Sequence, residues 1–364
     1  MIEPAALGLS RFDGLDGARA ARSGRSRVDA LTRAGQDLHA QIKGGPKALA
    51  FWACDLVTLP YPTSYAMAGG TWLPWPFIWF THRMLIVRFL AGGAVKTLLF
   101  NPTDHEQART TPYFAHLAAR SGEFLAHSVM STVHGTFLIQ LAAAGVKPEE
   151  VDYVAFDHLH TQDIRKHAGT TRAVPGLRGT PGPAALPKAH FLMQAREFAI
   201  WEDPHPLQHG WFVPGAIDGL DTSRVALIDG DYQLGDGVWL IATPGHTRGN
   251  QSLVVNTERG VFVTSENGVS TTCYAPQHSG IPGLARHASE RGLDLVLNSN
   301  TLECSLDQYD SMILEKSIAG PCLLDPRFPN VYPSSELTSH PLAPGLSPAF
   351  EHGQIRTGSL ERRG

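Results

Sequence analysis

Cysteine is scarce in this chain, and what there is lies scattered. Cys54, Cys273, Cys304 and Cys322 form no C-x-x-C pair. That spacing excludes a compact disulfide framework and reads as reduced cytosolic thiols. Blocks of like charge are also lacking beyond the N-terminal arm, and the formal net charge is only -4. Nothing here builds a nucleic-acid surface. Long apolar runs are missing as well. The greasiest stretch, TWLPWPFIWFTHRMLIVRFLAGG, is interrupted by Pro74, Pro76, His82, Arg83 and Arg88, whereas a bilayer span needs about 20 mostly apolar residues. The first residues, MIEPAALGLSRFDGLDG, lack the basic start and apolar core of a signal peptide. The expectation is a soluble, cytoplasmic protein with a small-molecule substrate and neither nucleic acid nor membrane as a partner.

What is present is apolar mass and histidine. The 364 residues are 43% hydrophobic, enough for one large core or two smaller ones, and 17 are histidine, which suits metal or acid–base chemistry. Residues 1–46 read as an N-terminal extension. It is irregular at first, then carries Val28, Leu31, Leu38 and Ile42 at helical spacing with Gly35 as a gap. This short amphipathic helix can pack on the domain or on a second subunit. Residues 47–320 read as the main domain. Strands are expected in ALAFWACDLVTLPYPTSYAMAGG, FIWFTHRMLIVRFLAGG, VKTLLFNP, VDYVAF, AHFLMQ, around RVALID, GVWLIAT, QSLVV and GVFVTS, and in LDLVLN. Helices are expected in FAHLAARSGEFLAH, HGTFLIQLAAAG, from Ala195, near GLARHASERG and in SLDQYDSMILEKSIAG. Strands in both halves with helices outside them argue for packed sheets covered by helices. Residues 321–364 are Pro-rich, lose periodicity and read as an extended tail. The arm and the tail are the candidate homodimer contacts.

Three pieces carry the chemistry. VDYVAFDHLHTQD ends an apolar run with His158 and His160, two residues apart. In a strand, such positions face the same side, so both imidazoles can aim at one point. GVWLIATPGHTRGNQSLVV sets His246 in a Pro244–Gly245 turn between two strands, and GVFVTSENG ends a strand with Glu266. Taken alone, the H-x-H pair reads equally as two polar residues at a strand end. His134 and His167 read as surface or loop histidines. Thr103 or Asp104 reads as a helix N-cap, and Asp104 with His105 also sits where a strand end can reach a site. Trp72, Trp75, Phe77 and Trp79 read either as inter-sheet packing or as the wall of an apolar pocket. The loop TTCYAPQHSGIPG can close over a site, with Tyr274 and His278 as its polar contacts.

Over roughly residues 50–318 the chain resembles the metallo-β-lactamase superfamily, which carries H-x-H-x-D-H after a strand, a later T-P-G-H-T-x-G histidine, a later acidic residue and usually a final histidine. The resemblance implies an α/β (α+β) fold, a four-layer αββα sandwich of two mixed β-sheets with helices outside. It implies one divalent metal ion, Zn, Fe or Mn, held by His158, His160 and His246, with Glu266 and Asp163 as further ligands. The departures thin the second metal position, leaving at most a weaker second ion. Gln162 stands where the family has aspartate, Asp163 where it has histidine, Glu266 where it has aspartate, and Asn298 or Asn300 near the final histidine. The implied activity is hydrolysis of a small, partly apolar ester or lactone through a metal-bound water, with Asp163 as general base and Glu266 ligating or orienting the water. The alternatives are a mononuclear iron-dependent oxygenase on the same fold and a fold relative without catalysis.

Overall fold

In the computed structural model, which describes residues 1–22, 24–121, 130–299 and 304–361, two β-sheets pack face to face with helices outside both. Among the described residues, one sheet has five antiparallel strands, in the order Ser10–Phe12, Asp231–Gly235, Val238–Ala242, Gln251–Thr257 and Gly260–Thr264. The other is mixed and nine-stranded. Its main path runs Arg356–Gly358, Ala50–Pro62, Phe77–Ala91, Ala94–Phe100, Tyr153–Ala155, His190–Gln194 and Val225–Ile228. Its last three pairings are parallel. This is the four-layer αββα arrangement.

Period-two alternation explains why strands so uniformly apolar belong here. Along Ala50–Pro62, Phe51 and Ala53 enter the core between the sheets, while Ala50 and Cys54 face helices. Along Val238–Ala242, Val238 and Leu240 face the opposite sheet, and Trp239 and Ile241 face the helices on the other side. A strand buried on both faces loses the polar/apolar alternation of a half-solvated one.

Both termini are built into these layers. The N-terminal helix is longer than its apolar spacing suggests, Arg25–Gly44, and buries Leu31, Gly35, Leu38 and Ile42. It lies on helix Ser305–Ala319, and the Gly35 gap is their point of contact. A Cβ there would stand 2.6 Å from Ser317 Cβ. The expected extended tail supplies strand Ser335–Thr338, paired with Phe77–Ala91, and strand Arg356–Gly358, paired with Ala50–Pro62. Segment LDLVLN is not a strand. Leu295 and Val296 are buried, but the backbone N–H groups of Val296 and Asn298 donate to the carbonyls of Cys273, in the short helix Thr271–Tyr274, and of Asn267, in a loop. Helix Pro112–Ser121 covers the first half of the expected 114–127 helix, and residues 122–127 lie outside the described residues. Among the described residues no helix is long and apolar enough to cross a membrane.

An ion pair pins the tail. Arg83 Nη1 donates to Glu336 Oε2 at 2.7 Å, both side chains are buried, and the Arg83 guanidinium lies 4.4 Å from the Tyr332 ring centroid. Removing one member of a buried pair typically costs about 3–5 kcal/mol. Asp55 still lies 3.3 Å from Arg83 Nε, so Glu336→Ala is expected at the low end, about 3 kcal/mol in denaturant unfolding. A loss below about 0.5 kcal/mol would mean that the strand holds without the pair.

Candidate metal centre

Strand Tyr153–Ala155 stops short of the histidines, which sit in the loop beyond it. Side chains take up the backbone N–H groups there, while strand residue Gln251 donates its N–H to the Asp157 carbonyl at 2.9 Å. Asn101 Oδ1 accepts the Asp157 N–H at 3.0 Å, Asp157 Oδ1 accepts that of His158 at 2.8 Å, and Glu197 Oε1 accepts that of Leu159 at 2.7 Å. Competing side-chain acceptors of this kind end regular strands. Thr161, β-branched yet at φ 61°, donates its N–H to the Trp211 carbonyl at 2.7 Å. A residue of that shape in the left-handed region marks a turn held by its surroundings.

Glu197 also grips the other ligand-bearing turn. Its Oε2 accepts Thr247 Oγ1 at 2.5 Å. One buried carboxylate thus ties the HLH loop to the PGHT turn. That turn is held from beneath as well. The His246 N–H donates to Asn267 Oδ1 at 3.1 Å, and Asn267 Nδ2 donates to Glu315 Oε1 at 2.7 Å. Glu315 further accepts Ser252 at 2.9 Å and the Tyr274 hydroxyl at 2.6 Å. Tyr274 therefore acts on the turn through Glu315 and does not line the site.

The result is convergence. His158, His160 and His246 are buried, and one ligand nitrogen from each lies within 4.8 Å of the others. Their ring centroids are 4.5–5.3 Å apart. Asp157 Oδ1 takes His158 Nδ1 at 2.7 Å, which leaves Nε2 for a ligand. This carboxylate–imidazole pairing is common behind metal-bound histidines. Both ring nitrogens of His160 are buried without a hydrogen-bond partner. Buried polar atoms are normally satisfied, and a cation among the three imidazoles would satisfy one of these. Burial, reinforced by the neighbouring imidazoles, holds His160 well below the ordinary histidine range, and burial with His158 does the same for His246. Neutral imidazole is the form that ligates. The donor set suits a divalent cation.

Glu266 opens on the same cavity, of about 440 Å³, whose apolar wall includes Tyr61, Phe80, Phe114, Met130 and Trp211. Burial, then the nearby Asp157, pushes the Glu266 carboxyl up to about 8. A cation beside it would draw the proton off. Burial also opposes ionisation of Asp157, but His158 outweighs it and holds that carboxyl at about 2.

Asp163 departs from expectation. It does not line the cavity. Arg165 takes both its oxygens instead, Nε to Oδ1 at 3.0 Å and Nη2 to Oδ2 at 2.6 Å, and the Arg165 N–H adds a third bond at 3.0 Å. The sequence D-I-R held that signal, a carboxylate two residues before an arginine. Asp163→Asn is expected to keep zinc bound and to cost about 3 kcal/mol of stability, because a buried guanidinium loses its counter-charge. Zinc lost from a variant that melts like the parent would return Asp163 to a ligand role.

Gln162 lines the cavity. Asn298 is buried, accepts the Tyr61 hydroxyl at 2.9 Å and donates to the Glu266 carbonyl at 3.2 Å, and Asn300 lies outside the described residues. Asp104 caps a short helix, whereas His105 lines the cavity. His167 is buried, bonds the Pro102 carbonyl at 2.6 Å and stacks on Phe137; His134 Nε2 lies 2.9 Å from Thr58 Oγ1. Trp79 packs in the core and donates to the Met130 carbonyl, and Trp72 is exposed, so the expected aromatic wall comes from other residues. His278 stands outside the cavity beside Phe328. Asp157, Glu197 and Ser335 escaped the sequence reading.

No protein-family model matches the chain. An N-acyl homoserine lactonase of Bacillus cereus is 28% identical over 123 residues, 34% of this chain and 40% of that protein. An N-acyl homoserine lactonase of a Bacillus species is 29% identical over 119 residues, 33% of this chain and 38% of the relative. The chain thus spans about two fifths of the length of the curated relatives it matches. Among solved structures, a dizinc quorum-quenching lactonase aligns over 87% of this chain and 99% of its own, at 12% identity and a TM-score of 0.49. An N-acyl homoserine lactone hydrolase with a product bound at its catalytic metal centre aligns over 68% of this chain and 87% of its own, at 19% identity and a TM-score of 0.42.

Proposed function

We propose that this chain, which belongs to the metallo-β-lactamase superfamily, is a metal-dependent hydrolase of small lactones or esters bearing an apolar chain. One observation carries the reading: three buried imidazoles meet at an apolar-walled cavity that also holds a carboxyl group. The partial likeness to N-acyl homoserine lactonases supports the lactone class.

His158, His160 and His246 would hold the ion, His158 oriented by Asp157. A divalent ion there supplies a water of lowered pKa and polarises a carbonyl. The chain's own residues do the rest. Glu266 ligates or takes the proton released on attack, its carboxyl held ionised beforehand by the neighbouring cation. Phe80, Phe114, Met130 and Trp211 enclose the apolar chain and exclude water from the reacting carbonyl. Gln162, an amide, has no useful proton affinity and can only orient.

The test combines elemental analysis of protein purified without added metal with proton release from lactones of graded acyl length. A bound divalent metal is expected, with kcat/KM rising about threefold to fourfold per methylene until the cavity is filled. Metal-replete protein that hydrolyses no lactone or ester, or that holds iron and consumes oxygen with substrate, would overturn the reading.

A further inference from the structure

Glu266 does not stand alone in its cavity. Ser335 lines the same cavity, and its hydroxyl and backbone N–H both favour the ionised form of the Glu266 carboxyl. Ser335 lies opposite His82 in the pairing of Ser335–Thr338 with Phe77–Ala91, and its hydroxyl is 3.0 Å from His82 Nδ1. His82 Nε2 is 2.8 Å from Thr103 Oγ1, which also accepts Gln162 Nε2 at 2.9 Å. All five side chains line the one cavity.

The donors order themselves. Thr103 accepts from Gln162 Nε2, an N–H that only donates; with the Thr103 hydrogen turned to His82 Nε2, the remaining donors line up. His82 then carries its proton on Nδ1 and donates to Ser335, whose hydrogen goes to Glu266. Every link points the same way and ends on the carboxylate.

We propose that His82 and Ser335 are positioning residues, a cross-strand brace that fixes the Glu266 carboxylate beside the histidine triad. The proposal rests on the metal-centre reading above. It gives the C-terminal strand a role in the site, since the register opposite His82 delivers the hydroxyl. With Asp163 taken by Arg165 and an amide at Gln162, Glu266 is the cavity-lining carboxylate whose charge acts on His158. Its orientation then depends on hydrogen bonds rather than on a second set of ligands.

Zinc affinity, measured by competition with a chromogenic chelator, tests this in the full chain. Ser335→Ala and His82→Phe are each expected to weaken zinc binding about 10- to 100-fold, as losses of groups behind metal ligands do. Ser335→Thr, which keeps the hydroxyl, should stay within about threefold of the parent. Where the parent hydrolyses a lactone, kcat should fall in Ser335→Ala with KM little changed, since the brace touches no substrate. Circular dichroism melts identify a variant that fails to fold; Ser335→Ala keeps the strand pairing and carries the test should His82→Phe unfold. Parent-like zinc affinity in Ser335→Ala would overturn the brace. So would a Ser335→Thr as weak as Ser335→Ala, or a parent that takes up no zinc. A parent that binds zinc but hydrolyses nothing would overturn the proposed function alone, and the affinity series would still decide the brace.

Discussion

His160→Ala is expected to lose the metal while the apo fold stays nearly as stable as the parent's. The two effects separate because of where His160 sits. Neither ring nitrogen has a protein partner, so no hydrogen bond of the fold is broken. The ring packs edge-on to Phe212, 4.9 Å between centroids, and a modest packing loss is all the apo protein should show. Metal binding is different. A zinc site of three or four ligands contributes about 10–16 kcal/mol in apparent terms, so one imidazole is worth about 3–4 kcal/mol, or roughly 10²–10³-fold in affinity. Turnover should fall with occupancy. The thermal stabilisation that added zinc gives the parent should vanish, because a ligand stabilises only the state that binds it. His167→Ala is the contrasting variant. That ring is hydrogen-bonded to the Pro102 carbonyl and stacked on Phe137, so it should lose stability and keep the metal. Full zinc occupancy in His160→Ala, by elemental analysis after dialysis, would show that the three imidazoles do not share one ion.

The histidine motifs were legible because they are local. Two histidines two residues apart and a histidine in a Pro-Gly turn can be recognised within a dozen residues. What surrounds them is not local. Glu197 reaches Leu159 and Thr247, 38 and 50 residues away in the chain, from a helix whose sequence only marks it as amphipathic. Ser335 lies in a Pro-rich stretch with no periodicity, and its short strand gains meaning only from its register against His82. The layers were legible for the opposite reason. Strands apolar on both faces need cover on both faces, which alone implies sheets inside helices. Segment 293–298 failed as a strand because an apolar run reports burial, not which groups receive its N–H bonds. Asp163 was expected at the metal from the resemblance alone, whereas its carboxylate is held by Arg165, two residues on, at 2.6 Å.

Gly245→Ala is expected to damage fold and site together. The residue has φ 152°, and a Cβ there would stand 2.2 Å from Gln308 Cα and 2.6 Å from Gln308 N. These are backbone atoms of helix Ser305–Ala319, so no side chain can swing aside. The helix is held in place. Gln308 Nε2 donates to the carbonyls of Asn267 at 2.9 Å and Asn298 at 2.6 Å, and Ser311 Oγ donates to the Pro244 carbonyl at 2.7 Å. An ordinary contact requires about 1 Å of retreat, and the next residue in the chain is the candidate ligand His246. Overpacking against backbone puts the cost at about 3 kcal/mol. A ligand displaced by about 1 Å should cost roughly 10²-fold in turnover, with zinc affinity falling alongside. Gly17→Ala is the matched control. It lies in helix Asp16–Arg19 with nothing within 4 Å of the new Cβ, and should be neutral or stabilising by up to about 1 kcal/mol. A Gly245→Ala protein that melts with the parent and binds zinc as tightly would mean that the turn and the helix can separate without moving His246, and that the close approach of Gly245 to Gln308 does not set the metal centre.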